Sequence, residues 1–326
     1  MEHFFPNIVE YQPHSLCNAN CSYCPVGSLV RENKIPSIEM EEKLLYRMIE
    51  SFQGKELLRI SPHLNTEPLL NKNLELHAKA WKSSFPDAQF EFSTNCVFLT
   101  EGRFESLVDA GVDSITLHFM GITKEIHESS MKTKYEIVEK NIKAIAKINM
   151  NSPNPIPLNI CGHRLSTTSL NQWRKFAFYW KEYGVDLHLG PLWNRANWFG
   201  GDFYKMKKGF LKSRKPSPCS KPFNQIAIEY DGEVVLCSLD YKHKIKIGNI
   251  KDSSIDQIWN SDVMRKYRDG QADAVRSDLD LCKDCIRGGR YLLDTRFLTS
   301  LIREKPPSNI FSKTFEWLKL EALDKL

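Results

Sequence analysis

Short apolar runs alternate along the chain with longer segments in which apolar residues recur every third or fourth position, the two periods of strands and amphipathic helices. Asn7 to Gln12 reads as a first strand leading into a loop from Cys17 to Gly27, after which Ser37 is placed to cap a helix from Ile38 to Phe52. The pattern then predicts strand and helix in turn: Glu56–Ser61 and Leu74–Ser83, Gln89–Ser93 and Glu101–Ala110, Ser114–Phe119 and Tyr135–Ile148. Gly111 closes the helix over Glu101–Ala110. Ile156–Cys161 and Val185–Leu189 are expected as two further strands flanking a helix over Leu170–Tyr183.

Six strand–helix units of this kind predict a parallel sheet with helices outside it and every strand's C-terminal end on one side. Six fall short of the eight of a closed barrel, so the expected fold is α/β, a partial (β/α)6 TIM-like barrel open at the side, with a doubly wound open sheet second. Between Gly200 and Pro222 the composition shifts to Lys, Ser, Gly and Pro, which marks a boundary. Beyond it Gln225–Tyr230 and Glu233–Cys237 alternate around Asp231-Gly232, a strong hairpin signal, and Ser254–Trp259 opens a short helix. The expected organisation is a barrel over 1–205, a small α+β module over 206–290 and a helical tail over 291–326.

Composition narrows the function without naming it. The 326 residues are 41% hydrophobic and 26% charged, ordinary for a globular protein. No run approaches the ~18 apolar residues of a membrane helix, and the opening Met-Glu-His-Phe-Phe-Pro lacks the features of an export signal. A cytoplasmic protein with no membrane partner is expected. Its net charge of +5 is spread thinly, with Lys205 to Lys215 the one basic stretch; with no aromatic stripe beside it, a nucleic-acid partner is not expected. Nine cysteines are many for a cytoplasmic chain, and seven of them are clustered, which points to metal rather than disulfides.

Cys17, Cys21 and Cys24 follow the first strand with three and then two residues between them. Three thiolates hold three irons of a cubane and leave the fourth open to an outside ligand. A three-cysteine zinc site completed by His14 is the rival. Cys219, Cys237, Cys282 and Cys285 are separated by 17, 44 and 2 residues. Four thiolates would close every iron of a second cubane, suiting it to electron transfer; a zinc ribbon is the rival here.

Cys-x3-Cys-x2-Cys with Tyr23 before its last cysteine resembles the signature of the radical S-adenosylmethionine (SAM) superfamily. The resemblance implies that the open iron chelates SAM, that Tyr23 neighbours the adenine, and that reductive cleavage yields a 5′-deoxyadenosyl radical. Other positions fit the same family. Asn65-Thr66-Glu67-Pro68 stands where the family carries Gly-Gly-Glu-Pro, its acidic residue binding the SAM amine; Glu67 and Pro68 match and both glycines are replaced. Ser93-Thr94-Asn95 stands where Thr-Asn-Gly is common, with Cys96 in the glycine's place. Asn95, His118, Arg164 and Asn194 follow successive strands at positions that touch SAM or substrate in the family, although His118 also reads as a core histidine.

Residues 217 to 290 resemble the SPASM and twitch modules appended to many such enzymes. Tyr291 occupies the place of a further cysteine, so one auxiliary cluster is expected, making two [4Fe–4S] clusters with SAM as cofactors. The plan resembles the twitch-bearing aminocyclitol dehydrogenases, which implies hydrogen abstraction from a small sugar- or aminocyclitol-like molecule, an electron passed to the auxiliary cluster, and a flavodoxin or ferredoxin as donor. Radical epimerisation, with Cys161 or Cys96 giving the hydrogen, and peptide modification are alternatives; a zinc-stabilised binding protein is the non-enzymatic one.

Overall fold

The computed structural model describes residues 5–32, 35–163, 165–190, 219–241, 243–272, 276–283 and 285. The six expected barrel strands are β1 (Ile8–Tyr11), β2 (Arg59–Ser61), β3 (Gln89–Thr94), β4 (Ser114–His118), β5 (Leu158–His163) and β6 (Asp186–Gly190). They lie parallel in the order β6-β5-β4-β3-β2-β1. This order follows the chain without reversal, so the doubly wound alternative, which needs a switch point, is excluded. Among the described residues no ladder joins β6 to β1, and the barrel is open at the side.

The helices between the strands are α1 (Val26–Arg31), α2 (Glu42–Glu50), α3 (Leu74–Ser84), α4 (Glu101–Asp109), α5 (Lys124–Met131), α6 (Tyr135–Asn151) and α7 (Leu170–Lys181). Each start has a physical reason where a cap exists. Thr100 accepts from the Arg103 amide at α4, Thr123 from Ile126 at α5, and Ser169 forms a capping box with Gln172 at α7. Ser37 is not a cap, and α2 begins four residues later than its hydrophobic pattern suggested. Segment 36–40 is extended instead, because Ile38 N–H donates to Ser15 Oγ (3.0 Å) and Met40 N–H to the Pro13 carbonyl (2.9 Å).

Helix α6 buries Val138, Ile142, Ile145 and Ala146 against the sheet, the stripe that its sequence period implies. At the base of the core, Trp81 of α3 is fully buried, with its ring centroid 6.2 Å from Tyr11, 6.1 Å from Phe52 and 5.7 Å from Phe85. Trp81→Ala is expected to cost about 3–5 kcal/mol, measured as a lower midpoint of denaturant unfolding.

The expected hairpin is present. Strand β7 (Gln225–Ile228) pairs antiparallel with β8 (Glu233–Val235), and Gly232 turns between them at φ 86°, a conformation that glycine adopts freely. The Gly248-Asn249 stretch belongs to a further strand, β9 (Lys246–Asn249), paired with β8 across a bulge. Strand β7 also pairs parallel with β1, from Ile8↔Gln225 to Tyr11↔Ile228. The hairpin therefore extends the barrel's own sheet, to nine strands. Ser254 and Gln257 form a capping box at the helix Ile255–Trp259, and a second helix spans Asp262–Ala272.

Candidate active site

The loop carrying Cys17, Cys21 and Cys24 crosses the C-terminal ends of the barrel strands and is fixed from two sides. The C-terminal end of α5 receives its amides: Asn20 N–H donates to the Met131 carbonyl (3.3 Å) and Ser22 N–H to that of Ser130 (2.7 Å). On the other side α1 packs against it at Gly27, where a Cβ would lie 2.3 Å from the Ala19 carbonyl oxygen, so only glycine allows the approach. His14 does not complete this site. Its Nδ1 accepts the Leu16 amide (2.9 Å), which leaves Nε2 to donate to the Glu67 carbonyl (2.8 Å), and both ring nitrogens are thereby used on backbone.

Glu67, 2% exposed, is the polar centre of the next loop. Its Oε1 accepts from Thr94 Oγ1 (2.6 Å) and Leu69 N–H (3.2 Å), and its Oε2 from Asn95 N–H (2.7 Å). Burial pushes its carboxyl up to about 7 even though these donors pull the other way. Two of the three departures from glycine, Asn65 at φ 48° and Cys96 at φ 64°, stand in the left-handed region that glycine adopts freely; Thr66, the third, does not. Asn95 donates from Nδ2 to Asn18 Oδ1 (2.8 Å) and so ties this loop to the cysteine loop.

These residues surround one cavity of about 350 Å³. Cys17, Cys21, Tyr23 and Cys24 line it on one side, with Glu67 and Asn95 beside them and His118, Cys161, His163 and His188 on the wall formed by β4, β5 and β6. His118 and His188 are the in-register neighbours of Cys161 on the flanking strands, and the ligand atoms of His118, Cys161 and His163 all lie within 4.8 Å of one another. Tyr23 packs edge-on to His163 with ring centroids 4.9 Å apart. Of the two cysteines outside the clusters, Cys161 thus faces the cavity. Cys96 is fully buried and turns its thiol to the Thr94 carbonyl (3.6 Å). Arg164, Trp193, Asn194 and Arg195 lie outside the described residues, as do the Lys205–Lys215 stretch and the tail over 291–326.

Cys219, Cys237, Cys282 and Cys285 meet around a second, smaller cavity. Gln271 takes the Cys219 amide on its Oε1 (3.0 Å), Leu239 N–H donates to Cys237 Sγ (3.5 Å), and Cys285 N–H donates to the Cys282 carbonyl (3.1 Å). Between the two cysteine groups lies a thin partition. Val26, Leu239 and Tyr241 form its apolar part, contacted by Cys17 and Cys24 from one group and by Cys237 and Cys285 from the other. Lys221 is its polar part and lines both cavities. Neither Lys221 nor its partner Glu10 was singled out in the sequence, since a lysine two residues from a cysteine has no pattern to mark it.

Both groups suit iron–sulfur clusters rather than single ions. None of the nine cysteines forms a disulfide, which leaves both groups able to ligate metal. Among the described residues, His118, Cys161 and His163 are gathered within 4.8 Å, a set that mixes two imidazoles with one thiol, whereas each cysteine group offers thiols alone, the usual donors of an iron–sulfur cluster. Without a cation, Cys17 and Cys282 resist ionising. Burial first, then Glu67 and the neighbouring Cys21 and Cys24, hold Cys17 well above the ordinary thiol range, and burial with Cys237, Cys285 and Cys219 pushes Cys282 up to about 12. Cationic iron reverses that balance, because a coordinating thiol is deprotonated outright.

Residues 11–166 match the family model of the radical SAM superfamily, and residues 219–286 match that of the SPASM iron–sulfur cluster-binding domain. The chain is a radical SAM enzyme with a SPASM-like domain. Its cofactors are accordingly SAM and [4Fe–4S] clusters. It is 26% identical over 282 residues to the S-adenosyl-L-methionine-dependent 2-deoxy-scyllo-inosamine dehydrogenase of Niallia circulans, covering 86% of this chain and 92% of that relative. Among solved structures it resembles BtrN in complex with AdoMet and 2-DOIA (TM-score 0.59, 22% identity, 87% of this chain and 94% of that one). It also resembles anSMEcpe with bound AdoMet (TM-score 0.61, 16% identity, 98% and 100%) and Streptococcus suis SuiB bound to the precursor peptide SuiA (TM-score 0.66, 14% identity, 92% and 74%). At these identities the solved structures establish the fold, the open α/β barrel described above. The radical SAM enzyme is an oxidoreductase, and among its described residues no helix is long and apolar enough to cross a membrane.

Proposed function

We propose that the enzyme dehydrogenates a secondary alcohol of a small polar molecule of the aminocyclitol class. The observation that carries this reading is the partition: a cavity walled by the Cys17 loop and by polar side chains abuts, through Lys221 and Leu239, the group of four cysteines. The similarity to a 2-deoxy-scyllo-inosamine dehydrogenase over 92% of its length supports the same substrate class. When bound, the cofactors would supply the redox chemistry: SAM, held at the Cys17–Cys21–Cys24 loop, would furnish the radical that removes a hydrogen atom from the carbinol carbon, and a cluster held by Cys219, Cys237, Cys282 and Cys285 would be the sink for the electron released as the hydroxyl proton is lost and the carbonyl forms.

The chain's own residues take the other roles. Cys17, Cys21 and Cys24 would hold the first cluster and leave one iron to SAM. Glu67, anchored by Thr94 and Asn95, offers a carboxylate to the SAM amine. Tyr23 walls the adenine side, and Asn95, His118 and Asn194 contribute further contacts to SAM. Cys219, Cys237, Cys282 and Cys285 would hold the second cluster, Arg164 is assigned to substrate, and a flavodoxin or ferredoxin serves as donor.

Radical epimerisation remains a second reading because Cys161 faces the cavity. An anaerobic assay in deuterated water, with 2-deoxy-scyllo-inosamine and related aminocyclitols, separates the two. Dehydrogenation gives a ketone in step with 5′-deoxyadenosine and no solvent deuterium on the reacting carbon. An epimer carrying deuterium, with incorporation lost in Cys161→Ala, would overturn it in favour of the thiol as hydrogen donor.

A further inference from the structure

Lys221 is 4% exposed. Its Nζ donates to Gln225 Oε1 (2.7 Å) and Ser238 Oγ (2.9 Å) and pairs with Glu10 Oε2 at 3.4 Å. Each contact ties it to the architecture of the two sites. Glu10 reaches it from β1, Gln225 begins the strand that pairs with β1, Ser238 follows Cys237, and Lys221 itself lies two residues beyond Cys219. It is the buried lysine that borders both cavities.

A buried ion pair is weak support for a fold, since apolar side chains of similar volume often do as well or better. Stability therefore does not account for a lysine in this place. The potential of an iron–sulfur cluster does depend on the charge and hydrogen bonds around it, and reduction adds a negative charge to a group already bound by four thiolates. A fixed cation beside it, as Lys221 and Arg276 are in the lining of the second cavity, favours the reduced state, and a carboxylate paired with that cation weakens the effect. We infer that Lys221, countered by Glu10, sets the reduction potential of the cluster held by Cys219, Cys237, Cys282 and Cys285 and so makes it the acceptor of the substrate's electron. The inference rests on the reading given under Proposed function, that this quartet holds such a cluster. Lys221 acts here as a positioning charge.

The test is an electron paramagnetic resonance redox titration of the reconstituted holoenzyme and of Lys221→Met, Lys221→Arg and Glu10→Gln, each with its iron content determined. Lys221→Met is expected to make the second cluster at least tenfold harder to reduce, a fall of 59 mV for a one-electron couple. Lys221→Arg should restore the potential, and Glu10→Gln should shift it the opposite way. An unchanged potential in Lys221→Met at full iron content overturns the inference. A shift of the same sign in Lys221→Met and Glu10→Gln also overturns it, because disturbed packing acts alike in both. If Lys221→Met fails to take up its cluster, the sign in Glu10→Gln decides. Wild-type enzyme holding about four irons rather than eight would instead overturn the two-cluster reading itself, whatever the potentials.

Discussion

Replacing Cys17, Cys21 and Cys24 together with alanine is expected to halve bound iron, from about eight to about four per chain, and to abolish formation of 5′-deoxyadenosine. The loss should be selective. The loop's backbone is held by Ser130 and Met131 of α5 and by the close approach at Gly27, and the thiols add one long contact, Cys21 Sγ to the Met131 carbonyl at 3.9 Å. The second group is held by Gln271 and the chain around Cys282, which the substitutions leave alone, and by Leu239, whose bond to Cys237 Sγ runs through its backbone amide. Iron analysis, the circular dichroism of the folded chain and chromatography of SAM products read the three consequences separately. Residual SAM cleavage in the triple variant would remove these cysteines from their proposed role.

The second large effect is expected at Glu67. Glu67→Gln replaces one accepting oxygen with an amide donor that faces either the Asn95 amide or the donors from Thr94 and Leu69. A buried donor left without its acceptor costs about 1–3 kcal/mol, so a lower unfolding midpoint is expected. The loss of a charge-assisted bond to the SAM amine, about 1.5–3 kcal/mol, should weaken SAM binding roughly tenfold to a hundredfold by calorimetry.

The same residue gives a pH dependence whose sign can be fixed. In the cofactor-free protein its carboxyl lies near 7, against an ordinary value of 4.5. Below 4.5 folded and unfolded chains both carry the proton. Between 4.5 and about 7 the unfolded chain releases it while the folded chain keeps it, so this residue's contribution to stability falls as pH rises and levels off above about 7. Denaturant titrations at several pH values should show the fall in the wild type and its absence in Glu67→Gln. SAM binding should follow the opposite trend and strengthen as Glu67 ionises.

The chemistry was legible where its residues lie close together in the chain. Three cysteines within eight positions declare their spacing whatever the fold, and Glu67 and Asn95 are recognisable by the motifs around them. Replaced glycines at Asn65 and Cys96 could be seen but not interpreted until φ values of 48° and 64° placed both residues in the left-handed region that glycine adopts freely. Helix α5 escaped because it buries His127, Ser130 and Met131, a face too polar to register as an amphipathic stripe. Ser37 misled because a serine before an apolar run is a sound capping signal, and only the distant Ser15 and Pro13 reveal that 36–40 is engaged elsewhere. Lys221 and Glu10 are 211 positions apart, and the ladder that unites them, β1 with β7, joins chain segments that no local pattern connects.

That ladder also governs how the molecule can be taken apart. Because Ile8–Tyr11 bonds to β2 on one flank and to β7 on the other, a fragment ending before Cys219 would leave an interior strand with a bare row of amides and carbonyls. Such an edge recruits other chains. Cutting the protein between its family-model matches should therefore yield sticky halves, not two working modules, and a donor–acceptor spacing set by one unbroken sheet would be lost along with solubility.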